Sequence, residues 1–190
     1  MAVRRIVMAP LVASLVLAAP ALARLPRPKT TLIVPGRSLA GVKLDMTQAQ
    51  ALGQWGATSC ASGVCQWIGP GDPGKAERAT VSLWRGKVVG IAITAGWTGA
   101  NVKFKPGVLS RWRTAKGIQL GSKKSAVRRA YPSAKANTGE AVQGYDLFAG
   151  ARPNLSVTRF SAFGHGATPT LIRGIEVNWD VCHFMRDTCG

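Results

Sequence analysis

A stretch of 18 residues occurs twice in this chain. Ser38 to Trp55 aligns without a gap on Thr114 to Tyr131 at an offset of 76, placing Gly41 on Gly117, Val42 on Ile118, Leu44 on Leu120 and Trp55 on Tyr131. Solenoid units run roughly 20–50 residues, so a period this long implies a tandem duplication of a small module of about 75 residues. Whatever fold one copy adopts, the other must adopt too.

Each copy reads the same way. A glycine and an alternating apolar pair, Val42 and Leu44 or Ile118 and Leu120, form a short extended entry. A turn follows at Asp45–Met46 or Gly121–Ser122, then a helix whose expected N-cap is Thr47 in the first copy and Ser122 in the second. Ala51, Leu52 and Trp55 recur at helical spacing, as do Val127, Ala130 and Tyr131; Trp55 and Tyr131 are read as packing anchors, and Gly56 and Pro132 end the helices. The periodicity then changes from 3.6 to 2. Strands are expected at 65–68, 80–84 and 88–93 in the first copy, the last two joined by a turn at Arg85–Lys87, and at 144–148, 155–160 and 172–179 in the second. Val81 falls on Val157 at the offset of 76 and Ile91 on Ile175 at 84, which assigns eight extra residues to a hairpin tip at 163–169. The expected fold class is α+β: two tandem modules, each a short helix or helical pair packed on a three- to four-stranded antiparallel meander. The boundaries read as a signal peptide at 1–23, an N-terminal extension at 24–36, module 1 at 37–96, a linker at 97–113 and module 2 at 114–190.

The signal peptide follows from Arg4 and Arg5, the apolar run from Ile6 to Ala19, and an A-x-A cleavage site at Ala21–Ala23. The expected localisation is the extracellular or cell-envelope space. Export makes the four cysteines legible as disulfides. Three pairings are open to four cysteines, and the local spacings favour Cys60 with Cys65 and Cys182 with Cys189. A zinc site from the same residues would want closer spacing on reduced thiolates. No metal and no cofactor is expected.

The recurring glycine, aliphatic pair, helix and terminal aromatic, followed by a meander, resemble the module of the beta-lactamase inhibitory protein family and of the related small outer-membrane assembly lipoproteins. That family is itself a tandem duplication of modules this size, each with one local disulfide. The resemblance implies a secreted, non-enzymatic protein whose two sheets form a saddle for a protein partner. The family's inhibitory loop residues have no counterpart here, so the resemblance carries the fold and leaves the target open.

Charge supplies a separate clue. The chain has 25 Lys and Arg against 8 Asp and Glu, a formal +17; without Arg4 and Arg5 the exported part keeps 23 bases against 8 acids, or +15. Between Glu77 and Glu140 there are thirteen bases and no acid. Such a field attracts polyanions. Bases interleaved with aromatics can pair and stack with one, and the candidate residues are Lys103, Lys105, Arg111, Trp112, Arg113, Lys116, Lys123, Lys124, Arg128 and Arg129. The alternative partner is therefore an anionic cell-envelope polymer or a membrane surface, contacted through 103–135. An enzyme is not expected: two histidines, His165 and His183, and eight acids make a thin inventory for acid–base or metal chemistry, and no nucleophile elbow is present.

Overall fold

The computed structural model of the chain describes residues 24–71, 76–96, 104–138, 142–151, 154–163 and 170–180. The expected signal peptide, Cys182 and Cys189, Lys103, both histidines and the hairpin tip at 164–169 lie outside the described residues. The fold is α+β, as the periodicities predict.

In chain order the elements are β1 (Leu32–Val34), β2 (Ser38–Leu39), β3 (Val42–Lys43), α1 (Gln48–Trp55), β4 (Cys60–Ala61), β5 (Val64–Ile68), β6 (Arg78–Trp84) and β7 (Lys87–Thr94). A single 3-10 turn, Leu109–Arg111, leads to β8 (Arg113–Thr114), α2 (Lys124–Ala130), β9 (Lys135–Thr138), β10 (Val142–Ala149), β11 (Ser156–Phe163) and β12 (Gly174–Trp179). The edge strands β4 and β9 carry no apolar alternation, and for that reason the sequence pattern does not show them.

The two meanders are not separate sheets. They meet at β7 and β12, which pair antiparallel, and give one eight-stranded sheet in the order β4-β5-β6-β7-β12-β11-β10-β9. The order reads the same for each copy outward from that seam. A small sheet, β3-β2-β1-β8, lies with both helices over one face of the large one. Into that face point Trp67, Val81, Ile91, Ile93, Ile175, Val177 and Phe160, each at most 1% exposed.

The two aligned stretches make matching backbone contacts. Thr47 bridges Lys87 and Lys123 bridges Leu171, equivalent positions at offsets of 76 and 84. Asp45 N–H donates to Val88 O (2.8 Å) as Gly121 N–H donates to Ile172 O (2.7 Å), and Val88 N–H donates to Met46 O as Ile172 N–H donates to Ser122 O, both at 2.8 Å. Asp45 and Gly121 share a positive φ, 66° and 86°, where Gly has no steric cost and Asp tolerates the left-handed region.

Two assignments change. The N-cap of α2 is Lys123, not Ser122, and it makes no side-chain cap; the hydroxyl of Ser122 instead accepts from Gln119 N–H (3.0 Å) in the preceding turn. The equivalent Thr47 closes a full capping box with Gln50. Ile91 pairs with Val81 and Ile175 with Phe160, so the equivalent of Val81 is Phe160 at an offset of 79, not Val157. Three of the eight extra residues therefore precede β11 and five fall in the β11–β12 connection. A chain-wide offset could not reveal this, because strand register is set by cross-strand pairing.

Residues 24–36 and 104–113 do more than extend and link. The first contributes β1, which pairs parallel with β8. The second buries Leu109, Ser110 and Trp112. Trp112 packs on Trp55 of α1 at 5.3 Å, while Trp55 meets Trp67 edge-on at 5.2 Å. In return Gly36 N–H donates to Thr158 Oγ1, and Ser156 Oγ donates to Gly36 O, both on β11 of the second copy. Each copy's entry segment thus packs on the other copy's half.

Candidate functional site

The large sheet has a second face, and among the described residues no helix or small-sheet strand covers it. Register defines its rows. One row runs Gln66, Thr80, Ala92, Glu176, Arg159, Asp146 and Lys135, from β5 to β9. A neighbouring row runs Val64, Ser82, Gly90, Asn178, Val157 and Phe148. At the repeat 2 half, Arg159 grips Asp146 with two bonds, Nε to Oδ1 at 2.9 Å and Nη2 to Oδ2 at 3.0 Å, and Asn137 Nδ2 donates to Oδ2 at 3.2 Å. The hydrogen bond to Asp146 holds the Arg159 guanidinium above its ordinary pKa; burial works against this, and the charges of Asp146 and Glu176 add to it. Beside this pair a cleft of about 330 Å³ opens between Ala92, Thr94, Ser161, Phe163, Arg159 and Glu176.

Charges balance at the centre of the face, Arg78 and Arg159 against Asp146 and Glu176, while Arg85, Lys87 and Lys135 add cations at its flanks. Three of the large exposed apolar residues sit at its two flanks: Val64 (40% exposed) and Trp84 (46%) on the first copy, Phe148 (43%) on the second. Both aromatics carry a cation, Arg85 at 4.2 Å over Trp84 and Lys135 at 5.6 Å over Phe148. The sequence reading did not single out Arg159, Asp146 or Glu176. Each occupies an outward position of an alternating strand, but only register puts the three side by side.

The basic residues expected to bind a polyanion belong to the covering layer. Lys105, Arg111, Arg113, Lys116, Lys123, Arg128 and Arg129 are exposed. Two of the set are tied to the protein itself. Lys116 Nζ donates to Ala130 O at the end of α2 (2.6 Å) and lies 4.9 Å over Tyr131, and Lys124 Nζ donates to Gln143 Oε1 (3.0 Å). Arg128 and Arg129 occupy the last turn of α2, where cations complement the helix dipole. Trp112 is a correction: at 1% exposure its indole is in the core and has no face to offer a ligand. Arg111 closes the 3-10 turn and Arg113 opens β8 on either side of it, and both side chains are exposed. They line one cleft of about 470 Å³.

Cys60 and Cys65 form a disulfide across the β4–β5 hairpin, as the local spacing predicts. Their neighbours in register, Ala61 and Val64, close its two-residue turn.

No protein-family model and no curated protein matches the chain. Among solved structures, an extracellular protein containing an SCP domain from Bacillus anthracis str. Ames is similar at 15% identity and a TM-score of 0.38, with 81% of this chain and 50% of that chain covered. The chain thus spans about half the length of that protein's chain, and a likeness at this level assigns neither fold nor function.

Proposed function

We propose that this is an exported, non-catalytic binding protein whose ligand is another protein, seated across the uncovered face of the eight-stranded sheet. The observation that carries the reading is the fusion of the two meanders at β7 and β12 into one continuous face. Eight strands at ~4.8 Å spacing and about six residues of ~3.3 Å each make a surface on the order of 700 Å², close to the roughly 800 Å² that each partner contributes to a standard interface. Its make-up suits that role: a balanced polar centre, cation-capped aromatics at the flanks and a cleft that accepts one side chain. The resemblance to the beta-lactamase inhibitory protein module points the same way, since that family uses its two sheets for a protein partner. Export is supported by the disulfide, which persists in oxidising compartments.

The test places a photo-crosslinking residue at Thr80 or Ala92 on the uncovered face and, separately, at Arg128 on α2. One protein crosslinked from both sheet positions and not from Arg128 supports the proposal. Crosslinks from Arg128 alone, or none from the sheet, would sink it.

A further inference from the structure

We propose that the cleft between Arg111 and Arg113 is a binding site for a phosphate-class oxyanion carried on a hydroxylated group. It lies on the covering layer and is independent of the sheet-face reading. The two arginines are held in place by the structure around them. Leu109 N–H donates to both oxygens of Glu77, at 3.2 Å each, which pins the start of the 3-10 turn. Gly107 passes so close to that carboxylate that a Cβ there would lie 2.3 Å from it. Ser110 Oγ donates to Gly107 O (2.7 Å), Trp112 is locked in the core, and Arg113 N–H donates to Thr31 O (3.1 Å) where β8 joins β1. An anchored backbone therefore presents two guanidinium forks to one space.

Among the described residues neither fork has a hydrogen-bond or ion-pair partner, in contrast to Arg159, whose carboxylate is built in. The one nearby acid, Glu77, is spent on Leu109 N–H. Two planar forks without a counter-ion match an anion that accepts several bonds at once. Apart from Pro106, the remaining lining is polar: Thr31, Gln119 and the Gly107 and Ser110 positions of the turn, which suit the hydroxyls of a carrier. Arg113 and Thr31 also border a second cleft of about 450 Å³ beside Thr30 and Thr114, so a carrier longer than one unit has somewhere to run. Anion binding that the sequence spread over ten residues is thereby concentrated on two.

The experiment titrates the purified protein with inorganic phosphate and with glycerol 3-phosphate, followed by backbone amide NMR and calorimetry. Saturable shifts centred on 30–32 and 107–119 are expected. Arg111→Gln and Arg113→Gln should each weaken binding about tenfold or more, the loss of one charge-assisted fork. Arg111→Lys should recover only part of it, because a point charge lacks the fork. Arg128→Gln with Arg129→Gln is expected to leave the affinity within twofold. Vesicles containing about a quarter anionic phospholipid form a second arm: capture that depends on Arg111 and Arg113 makes the carrier a lipid headgroup, and glycerol 3-phosphate binding without vesicle capture makes it a soluble or polymeric phosphate. No saturation by either phosphate, or an equal loss in the α2 double variant, would overturn the proposal, the latter by showing only a diffuse positive field.

Discussion

The most discriminating substitution is Trp112→Ala. A ligand-stacking tryptophan and a core tryptophan predict opposite outcomes for it. The indole is 1% exposed and packs on Trp55 at 5.3 Å, which itself meets Trp67 at 5.2 Å, so removing it opens one end of a buried three-ring cluster. An aromatic side chain of this size buries about 150–250 Å², worth roughly 4–6 kcal/mol at about 25 cal/mol/Å² as an upper bound. Measured truncations of buried Trp or Phe to Ala cost about 3–5 kcal/mol, and that range is the expectation here. For a domain of this size each kcal/mol moves Tm by about 2–4 °C, so a fall of roughly 6–20 °C is expected. Urea unfolding should show a lower midpoint at unchanged slope. Trp112→Phe, which keeps one ring, should cost about 1–2 kcal/mol. Arg111→Gln next door should stay within about 0.5 kcal/mol, since that side chain is exposed and unpaired. A Tm for Trp112→Ala within a degree of the parent would refute the burial of the indole and restore it as a surface residue.

Further outcomes follow from single contacts. Gly144→Ala would set a Cβ 1.9 Å from the backbone oxygen of Phe160, which cannot rotate away; a loss of about 2–3 kcal/mol or more in chemical denaturation is expected, and unchanged stability would contradict the tight β10–β11 approach. Thr47→Ala removes the capping bond to Gln50 N–H and should cost about 1 kcal/mol by the same measurement. Lys123→Asp does the reverse at the equivalent position of the second copy: it supplies the missing cap, puts an anion at the helix N-terminus, and should raise stability by about 0.5–1.5 kcal/mol. Asp146→Asn leaves a fold of nearly parental Tm, because its partner Arg159 is 42% exposed and such pairs contribute at most about 1 kcal/mol; if the uncovered face is the binding face, partner crosslinking from Ala92 should nonetheless fall.

The repeat was the part of the fold most open to sequence reading. Helix positions and central strands follow from Thr47, Trp55, Val81 and Ile91 and their counterparts, since a 3.6 or 2 residue period is a local property of side-chain order. What failed was whatever required knowing a neighbour. Ser122 looks like an N-cap, but its backbone carbonyl is claimed by Ile172, so the cap position passes to Lys123. Trp112 looks like a stacking residue between two cations, yet it is the one position of that triplet whose side chain meets Trp55. The uncovered face was legible only as outward positions, and Arg159, Asp146 and Glu176 became a row once register aligned them.

The amino-acid order by itself determined that an 18-residue stretch recurs at an offset of 76, which segments are helical, that Cys60 and Cys65 are close enough in sequence to bond, and that thirteen of the 25 bases lie in an acid-free stretch. All of these depend on residues near one another along the chain. The tertiary structure alone decided that the copies share one sheet and exchange their entry segments, that Trp112 belongs to the core, and that two of ten basic-patch candidates share a cleft. Those outcomes depend on contacts between residues far apart in sequence, where burial of Trp112 and pairing of β7 with β12 outweigh any local preference.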